Sequence, residues 1–143
     1  MLSDKDQQFI AILRDNARIS VAALARKTNV SRTAAQARLD KLENNGTIAG
    51  YCVRLGDQAE KSQVKALVLI KLQAAERARI EARLISLRAL ESLHTLSGVY
   101  DLSAVIVAQN VSDLDQQIDT IGQINGVVET MSSIMLTTKV ERS

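Results

Sequence analysis

Residues 19–50 constrain the fold of this chain more than any other stretch, because they predict two short helices around a tight turn. The first helix begins after Ser20, whose hydroxyl can accept from the free amides of a first turn. Asn29 then enters the left-handed region at low cost, as a sharp turn between helices requires. Ser31 is a good N-cap for the second helix. The stretch therefore predicts a helix-turn-helix motif at about residues 21–40.

The second helix, predicted over about residues 32–44, separates apolar from polar side chains. The apolar side lies at helical spacing and holds Ala35, Leu39 and Leu42. The exposed side is small and polar and consists of Arg32, Thr33, Gln36, Ala37 and Asp40. A helix that enters the ~12 Å wide major groove of DNA needs such a profile. An ordinary αα-corner without a nucleic-acid role has the same spacing, and this alternative stays open.

The residues around these two helices complete a small domain. Gly46 is the glycine that a helix C-terminus favours. Residues 47–51 can then return as a small wing, which predicts a winged helix-turn-helix. Upstream, residues 4–16 predict an amphipathic helix with Phe9 facing inward. Residues 1–50 are thus predicted to form a DNA-binding domain.

The polar residues of this domain divide into predicted base readers and predicted phosphate contacts. Arg32, Thr33 and Gln36 are the base readers, since arginine pairs well with guanine and glutamine with adenine. The other predicted DNA contacts lie around them and are Ser31, Ala37, Arg38, Lys41 and Arg18. Arg26 and Lys27 are further phosphate candidates. A solvated surface role is the alternative for the three base readers and for Arg18, Arg26 and Lys27.

The long basic side chains have the most open roles. Arg38 and Lys41 lie toward the flank of the second helix and are expected to touch phosphate, but Arg38 has an internal ion pair with Asp4 or Asp6 as its alternative. Residues 1–50 hold eight Lys/Arg and five Asp/Glu, and the rest of the chain holds ten and eleven. The net charge of +2 therefore arises in the helical half, which weakly favours phosphate binding.

Composition excludes several classes of function. Hydrophobic residues make up 46% and charged residues 24%, as in a globular protein, and no apolar run approaches the ~18 residues of a membrane span. The polar N-terminus argues against a secretory signal, so a cytoplasmic protein is expected. One cysteine, Cys52, expected to be buried, and one histidine, His94, exclude a disulfide framework and a Cys/His metal site. Without a catalytic constellation, neither enzyme activity nor a cofactor is expected.

From Val64 the apolar period changes to two, and residues 64–143 predict a second domain after a polar linker at 51–63, with the boundary near Lys61. Its predicted elements are a strand from Val64, a helix over 76–90, strands over 91–96 and 100–108, a helix over 111–121 and a strand over 127–140. This β-α-β-β-α-β order is ferredoxin-like, so the fold class is α+β. The many arginines of the helix at 76–90 have no functional interpretation.

Two helices can cover only one face of this predicted sheet. The apolar side chains expected on the other face are Leu67 and Leu69, with either Val105 and Val107 or Leu102 and Ile106. Such a face would be a large exposed apolar patch, and a second copy of the sheet is the simplest cover. The sequence therefore predicts a homodimer, whose two-fold symmetry also suits a helix-turn-helix protein.

The whole chain resembles the Lrp/AsnC, or feast/famine, family of transcriptional regulators. The matching motifs are Asp6-x-x-Phe9-Ile10-x-Ile12-Leu13, Ala17–Ser20, Leu24-Ala25, Val30-Ser31, Arg38-Leu39-x-x-Leu42-Glu43, Gly46-x-Ile48-x-Gly50-Tyr51, Ser97-Gly98-x-Tyr100-Asp101 and Asn125–Val127. Each motif is loose alone, but together and in order they are specific. The chain departs from the family at Ser3, at Asn29 and at Asp40, which puts a negative charge where a basic residue is common.

The resemblance implies a sequence-specific regulator that binds double-stranded DNA as dimers, which commonly assemble into octamers. It also implies a RAM/ACT-like second domain that binds a small effector, usually an amino acid, at contacts between dimers. The matching effector positions are Thr95, Gly98, Val99, Tyr100, Asp101, Ile134, Met135 and Leu136. Asp101 could accept from a ligand ammonium. The alternative is that Gly98 only forms a hairpin and Asp101 only ties it down.

Two other functions stay open for the same residues. One is a winged-helix adaptor that binds protein rather than DNA, and the other is an effector-independent DNA-organising protein. Charge reversal at Arg32 and Arg38 would separate a DNA-binding protein from an adaptor, since only the former should lose DNA affinity and salt dependence.

Overall fold

The computed structural model describes residues 1–60 and 62–141, which form two compact units. The recognition unit comprises residues 1–54, and the sheet unit comprises residues 55–141. The boundary predicted near Lys61 lies outside the described residues. The segment predicted as a linker contains a four-residue helix, Asp57–Glu60.

The described elements follow the predicted order, with helices first and a mixed unit after them. In chain order they are α1 (Asp4–Asp15), α2 (Val21–Thr28), α3 (Arg32–Asn44), α4 (Asp57–Glu60), β1 (Val64–Leu72), a 3-10 turn (Ala74–Glu76), α5 (Arg77–Ile85), β2 (Leu90–Thr95), β3 (Leu102–Ala108), α6 (Val111–Gly122) and β4 (Val127–Met135).

Local caps define the helices of the recognition unit. The Ser20 hydroxyl accepts from the Ala23 amide, and the Ser31 hydroxyl accepts from the Ala34 amide, both at 3.1 Å. Asn29 adopts φ 56° and ψ 49°, so the left-handed turn between α2 and α3 is confirmed. The three helices bury a small core made of Phe9, Leu24, Ala25, Ala35 and Leu42.

The predicted wing is wrong for this chain. Gly46 ends α3 with φ +78°, as expected, and the Ile48 amide then bonds to the Leu42 carbonyl at 2.8 Å. Residues 47–56 contain no strand. A hairpin needs two paired strands, and the chain after Gly50 stays irregular up to α4 instead of returning as the second strand. Cys52, expected to be buried, is exposed, because it lies in this irregular segment outside the small core.

The sheet unit has the predicted ferredoxin-like topology. Its four antiparallel strands lie in the order β2-β3-β1-β4. Helices α5 and α6 pack on one face, over a core that includes Val68, Ile70, Ile80, Ile106 and Leu114, each 0% exposed.

Two predicted elements of this unit are too long. The helix predicted to reach residue 90 ends at Ile85, because Leu90 already pairs with Ile106 in the sheet. The last strand, predicted to reach residue 140, ends at Met135. Met135 pairs with Lys65 at the start of β1, so the chain beyond it has no neighbouring strand.

The sheet face opposite the helices carries the predicted apolar side chains. Ladder register places Leu67 and Leu69 on this face beside Val105 and Val107, whereas Leu102 and Ile106 point into the core. Strand β4 adds Met131, which is 52% exposed and lies opposite Leu69. We call this surface the open sheet face.

Candidate nucleic-acid interface and effector region

Helix α3 presents a polar surface to solvent and buries its opposite side. The predicted contacts Ser31, Arg32, Thr33, Gln36 and Ala37 are all exposed. On the other side of the helix, the core residues named above hold it against α1 and α2. The Ser31 cap orders the first turn of α3, because its hydroxyl accepts from the Ala34 amide. The surface is thus a short, pre-formed row of polar side chains on a convex helix, the shape that fits a major groove.

Gln36 and Asp40 on this surface are joined to each other. The Gln36 Nε2 atom donates to the Asp40 Oδ1 atom at 2.7 Å, one helical turn away. Sequence reasoning placed both side chains on the exposed face but missed the bond. The i, i+4 spacing of an amide and a carboxylate is the signal that could have found it.

Arg38 takes up the second of its two predicted roles. Its Nη1 atom lies 2.6 Å from the Asp6 Oδ1 atom and 3.3 Å from the Ser3 hydroxyl. Its guanidinium also lies 5.8 Å from the centre of the Phe9 ring. The alternative partner Asp4 is not used. This ion pair ties α3 to the start of α1, and a contact of Arg38 with phosphate stays a prediction.

The Asp6 carboxylate is held ionised by these partners. Hydrogen bonds from Ser3 and then Arg38 lower the pKa of Asp6 from 3.8 to about 2, although burial opposes the shift. Asp6 is 6% exposed, so it needs those partners to remain charged inside the unit. We call the ion pair of Asp6 and Arg38 the brace between α1 and α3. It adds an electrostatic contact to the apolar packing of the unit.

The remaining predicted phosphate contacts all lie on the surface of the recognition unit. Arg18, Lys41, Arg26 and Lys27 are exposed. They stay predictions, since an exposed cation is compatible with both phosphate binding and plain solvation.

Two polar features of the recognition unit were missed. Thr28 is 1% exposed, and its hydroxyl donates to the Leu24 carbonyl at 2.7 Å. Tyr51 donates to the Glu43 Oε1 atom at 2.7 Å, so the chain after α3 is tethered back to it. Burial and then Glu43 raise the pKa of Tyr51 to about 12. Only the Thr28 bond has a local sequence signal, a threonine in the last turn of a helix.

In the sheet unit, the predicted effector loop follows β2. Thr95, Gly98 and Val99 are exposed, and Gly98 has φ +137°. Tyr100 is half-buried and donates to the Glu129 Oε1 atom at 3.1 Å. The loop thus offers exposed backbone and one anchored aromatic ring.

Asp101 is already engaged within the chain. Its Oδ2 atom accepts from the Leu72 amide at 2.9 Å, and its Oδ1 atom lies 3.4 Å from the Arg77 Nη2 atom. It therefore ties the loop to the end of β1 and to α5. Acceptance from a ligand ammonium stays a prediction, for which Oδ1 keeps lone-pair capacity.

The other predicted effector segment lies at the opposite end of the sheet. Ile134 and Met135 are 44% and 42% exposed, and Leu136 is 91% exposed just beyond β4. Ile134 pairs with Ala66, whereas the Asp101 amide bonds to the Ile70 carbonyl. Four residues of strand separate these points by ~14 Å. A single chain does not bring the two segments together.

The arginines of α5 act within the unit. Arg77 pairs with Glu81 at 3.6 Å as well as with Asp101. Arg79 pairs with Glu76 at 2.7 Å and donates to the Asn125 carbonyl. These bonds give two of the unexplained arginines a structural role.

Neither a metal site nor a membrane span emerges from the described part of the chain. Within residues 1–60 and 62–141, no three His, Cys, Asp or Glu side chains are grouped to hold a metal ion. No helix in the same ranges combines the length and apolar character needed to cross a bilayer.

Comparison with known proteins covers both units. Residues 2–43 match the AsnC-type helix-turn-helix domain, and residues 65–143 match the Lrp/AsnC ligand binding domain. The chain is 27% identical over 136 residues to the HTH-type transcriptional regulator LysM of Sulfurisphaera tokodaii, covering 94% of this chain and 95% of that protein.

Solved structures share the fold over the full chain. AsnC of E. coli superposes with a TM-score of 0.89 at 23% identity, covering 100% of this chain and 97% of that one. The regulator NMB0573 of Neisseria meningitidis, solved as a complex with L-Met, superposes with a TM-score of 0.89 at 20% identity, covering 100% and 95%.

Proposed function

Because this chain belongs to the Lrp/AsnC family of transcriptional regulators, we propose that it binds specific sites on double-stranded DNA as a homodimer and responds to an amino-acid effector. Its two parts are a DNA-binding helix-turn-helix and a ligand-binding domain. The exposed polar surface of α3 is the observation that carries the proposal. The protein acts by binding rather than by catalysis, and in the cytoplasm, where its DNA target lies.

The polar row on α3 supports sequence-specific recognition. Arg32 and Thr33 lie in the first turn, where a recognition helix contacts base edges, and Gln36 follows one turn later on the same side. Arg18 and Lys41 are exposed cations that could meet phosphate, and Ser31 and Ala37 are exposed positions at which we expect contact with the duplex. A row of possible base readers with cations nearby favours DNA over protein as the partner, and the protein-binding adaptor is the alternative.

The open sheet face supports dimerisation. Leu67, Leu69, Val105, Val107 and Met131 form one apolar surface that a single chain leaves uncovered. Burying it removes apolar area from water at about 25 cal/mol per Å². A two-fold pair of such faces is self-complementary, and it doubles the number of recognition helices. Further assembly, such as an octamer, is part of the same proposal.

Effector binding draws its support from two observations. The neighbour NMB0573 was solved with L-Met, which is an amino acid. In this chain, the loop around Gly98 offers exposed backbone amides and the Asp101 carboxylate, which suit the two charged ends of an amino acid. Since the loop and the Ile134–Leu136 segment are separated within one chain, the proposed site needs a second copy to complete it. An effector-independent DNA-organising protein is the alternative.

The DNA proposal is tested by selecting binding sites from a randomised double-stranded DNA library and measuring Kd by fluorescence anisotropy. We expect a defined sequence to emerge and Arg32→Ala to weaken binding to it by about tenfold. Arg14→Ala, an exposed arginine of α1, is the charge-matched control. Failure to enrich any sequence, or equal losses in both variants, would contradict sequence reading by α3.

Assembly and sensing are tested by sedimentation velocity with and without each common amino acid. Leu69→Asp should reduce the assembly to smaller species, because a charge in an apolar interface is costly. One amino acid should shift the size distribution of the unmodified protein. A monomer would contradict dimerisation through the open sheet face, and indifference to every amino acid would leave the effector-independent alternative.

A further inference from the structure

The recognition surface contains a pair of side chains that act on each other before they meet DNA. Gln36 and Asp40 are both exposed on α3, and the Gln36 Nε2 atom donates to the Asp40 Oδ1 atom at 2.7 Å. Both belong to the face that is proposed to enter the major groove. The inference below therefore rests on that proposed function.

This bond sets the orientation of the Gln36 side-chain amide, with its NH₂ group toward Asp40. An ionised carboxylate only accepts hydrogen bonds, so only the NH₂ end of the amide can turn toward it. A glutamine beside a neutral or hydroxyl-bearing neighbour could flip and exchange its donor and acceptor. Among the described residues Asp40 forms no ion pair, so no cation competes with Gln36 for its carboxylate on the exposed helix face.

The locked amide offers a defined pattern to a base. After one N–H has gone to Asp40, Gln36 presents its Oε1 atom as an acceptor and its second N–H as a donor. Adenine is the base with the matching pattern in the major groove, an N6 amino donor beside the N7 acceptor. Guanine offers two acceptors there, and its O6 atom would meet both the Oε1 atom of Gln36 and the negative charge of Asp40.

We propose that Gln36 and Asp40 read one base pair as a unit, in which Asp40 orients the Gln36 amide so that it selects adenine over guanine. Asp40 is thus a specificity-determining residue, although a negative charge on this face weakens attraction to phosphate in general. Asp40 therefore lowers the overall affinity for DNA and raises the discrimination between bases at one base pair.

The experiment compares the full-length protein with the variants Asp40→Asn, Asp40→Ala, Gln36→Ala and the double variant Gln36→Ala/Asp40→Asn. Asparagine keeps the shape but removes the lock, because its own amide can either accept from or donate to Gln36. Duplexes selected by the unmodified protein are substituted with each base pair in turn, and Kd is measured for each. Asp15→Asn, an exposed carboxylate at the end of α1, is the matched control for charge.

At one base pair, we expect the unmodified protein to prefer adenine over guanine by about tenfold. Asp40→Asn and Asp40→Ala should each reduce that preference to about twofold, at the same base pair as Gln36→Ala, and the double variant should add little. Asp15→Asn should tighten binding to all sequences slightly and leave the preference intact.

Three results would overturn the inference. In the first, both Asp40 variants keep the base preferences of the unmodified protein. In the second, the Gln36 and Asp40 variants lose preference at different base pairs, and in the third the Asp40 variants lose a preference for cytosine rather than for adenine. In each of these cases the unmodified protein would still bind its selected duplex. Absence of any selected duplex would instead contradict the proposed function.

Discussion

The recognition unit and the sheet unit differ in what they leave exposed. Helix α3 exposes arginine, threonine and glutamine, and its apolar residues Ala35 and Leu42 are buried in a small core. The sheet unit has a larger core but still carries apolar side chains, among them Leu69 and Met131, on the open sheet face. A polar convex surface suits a hydrated, charged polymer, whereas a flat apolar surface suits another protein. The contrast agrees with the proposal that one unit binds DNA and the other binds a second copy of the chain.

The largest effect on this contrast is expected from Phe9→Ala. Phe9 is 0% exposed at the centre of the small core, so its truncation should cost about 3–5 kcal/mol. That is enough to unfold the recognition unit and abolish DNA binding, while the sheet unit still self-associates. Anisotropy and sedimentation velocity on the same sample check both halves. Ile106→Ala in the other core should damage assembly instead, and loss of both activities in each variant would contradict independent units.

A smaller effect is expected from Gly126→Ala in the sheet unit. Gly126 has φ +97°, and an added Cβ would lie 2.9 Å from the Glu76 Cβ atom. The combined strain should lower the free energy of unfolding by about 2 kcal/mol. Urea denaturation measures it, with Gly56→Ala as the control, since an added Cβ there meets nothing within 4 Å. Equal stability of the two variants would contradict the close approach of Gly126 to Glu76.

The brace between α1 and α3 gives the recognition unit a pH dependence. Because the pKa of Asp6 is lowered from 3.8 to about 2, its ionised form stabilises the unit above about pH 4. This stabilisation is lost as the pH falls from about 4 toward 2. Unfolding followed through the Phe9 ring resonances should show Asp6→Asn less stable at neutral pH, with the gap closing in acid. A gap that is constant down to pH 2 would contradict the charged brace.

The smallest effect is expected from Tyr51→Phe, which removes one exposed hydrogen bond to Glu43. Its net cost should be about 0.5 kcal/mol. Since the pKa of Tyr51 is raised to about 12, the bond persists below pH 10 and is lost as the pH rises toward 12. Absorbance of the phenolate in the unmodified protein and in the variant checks the titration. Ionisation of Tyr51 near pH 10 would contradict the tether.

Features that depend on residues close together in sequence were predicted better than features that depend on distant residues. Serine caps and the left-handed Asn29 act within three or four residues, so the three helices of the recognition unit were predicted to within a residue of their observed bounds. The ends of α5 and β4 depend on strands far away in sequence, and these were predicted too long. The predictions of the wing and of a buried Cys52 failed for the same reason, because a paired strand and burial both require partners that local sequence does not specify.

The same rule applies to the candidate site. The exposed face of α3 follows from helical periodicity and was predicted. The partner of Arg38 lies 32 residues away, so sequence left two roles open until the ion pair with Asp6 was seen. The ties of Asp101 to Leu72 and Arg77 also join distant residues, and they could be anticipated only as an alternative.

Hydrogen–deuterium exchange of the full-length protein, with and without its selected duplex, tests the division of labour between the two units most directly. The account predicts that DNA slows exchange in peptides from α3 and its N-terminal turn, and leaves the strands of the sheet unit unchanged. Protection in the sheet unit with none in α3 would contradict it.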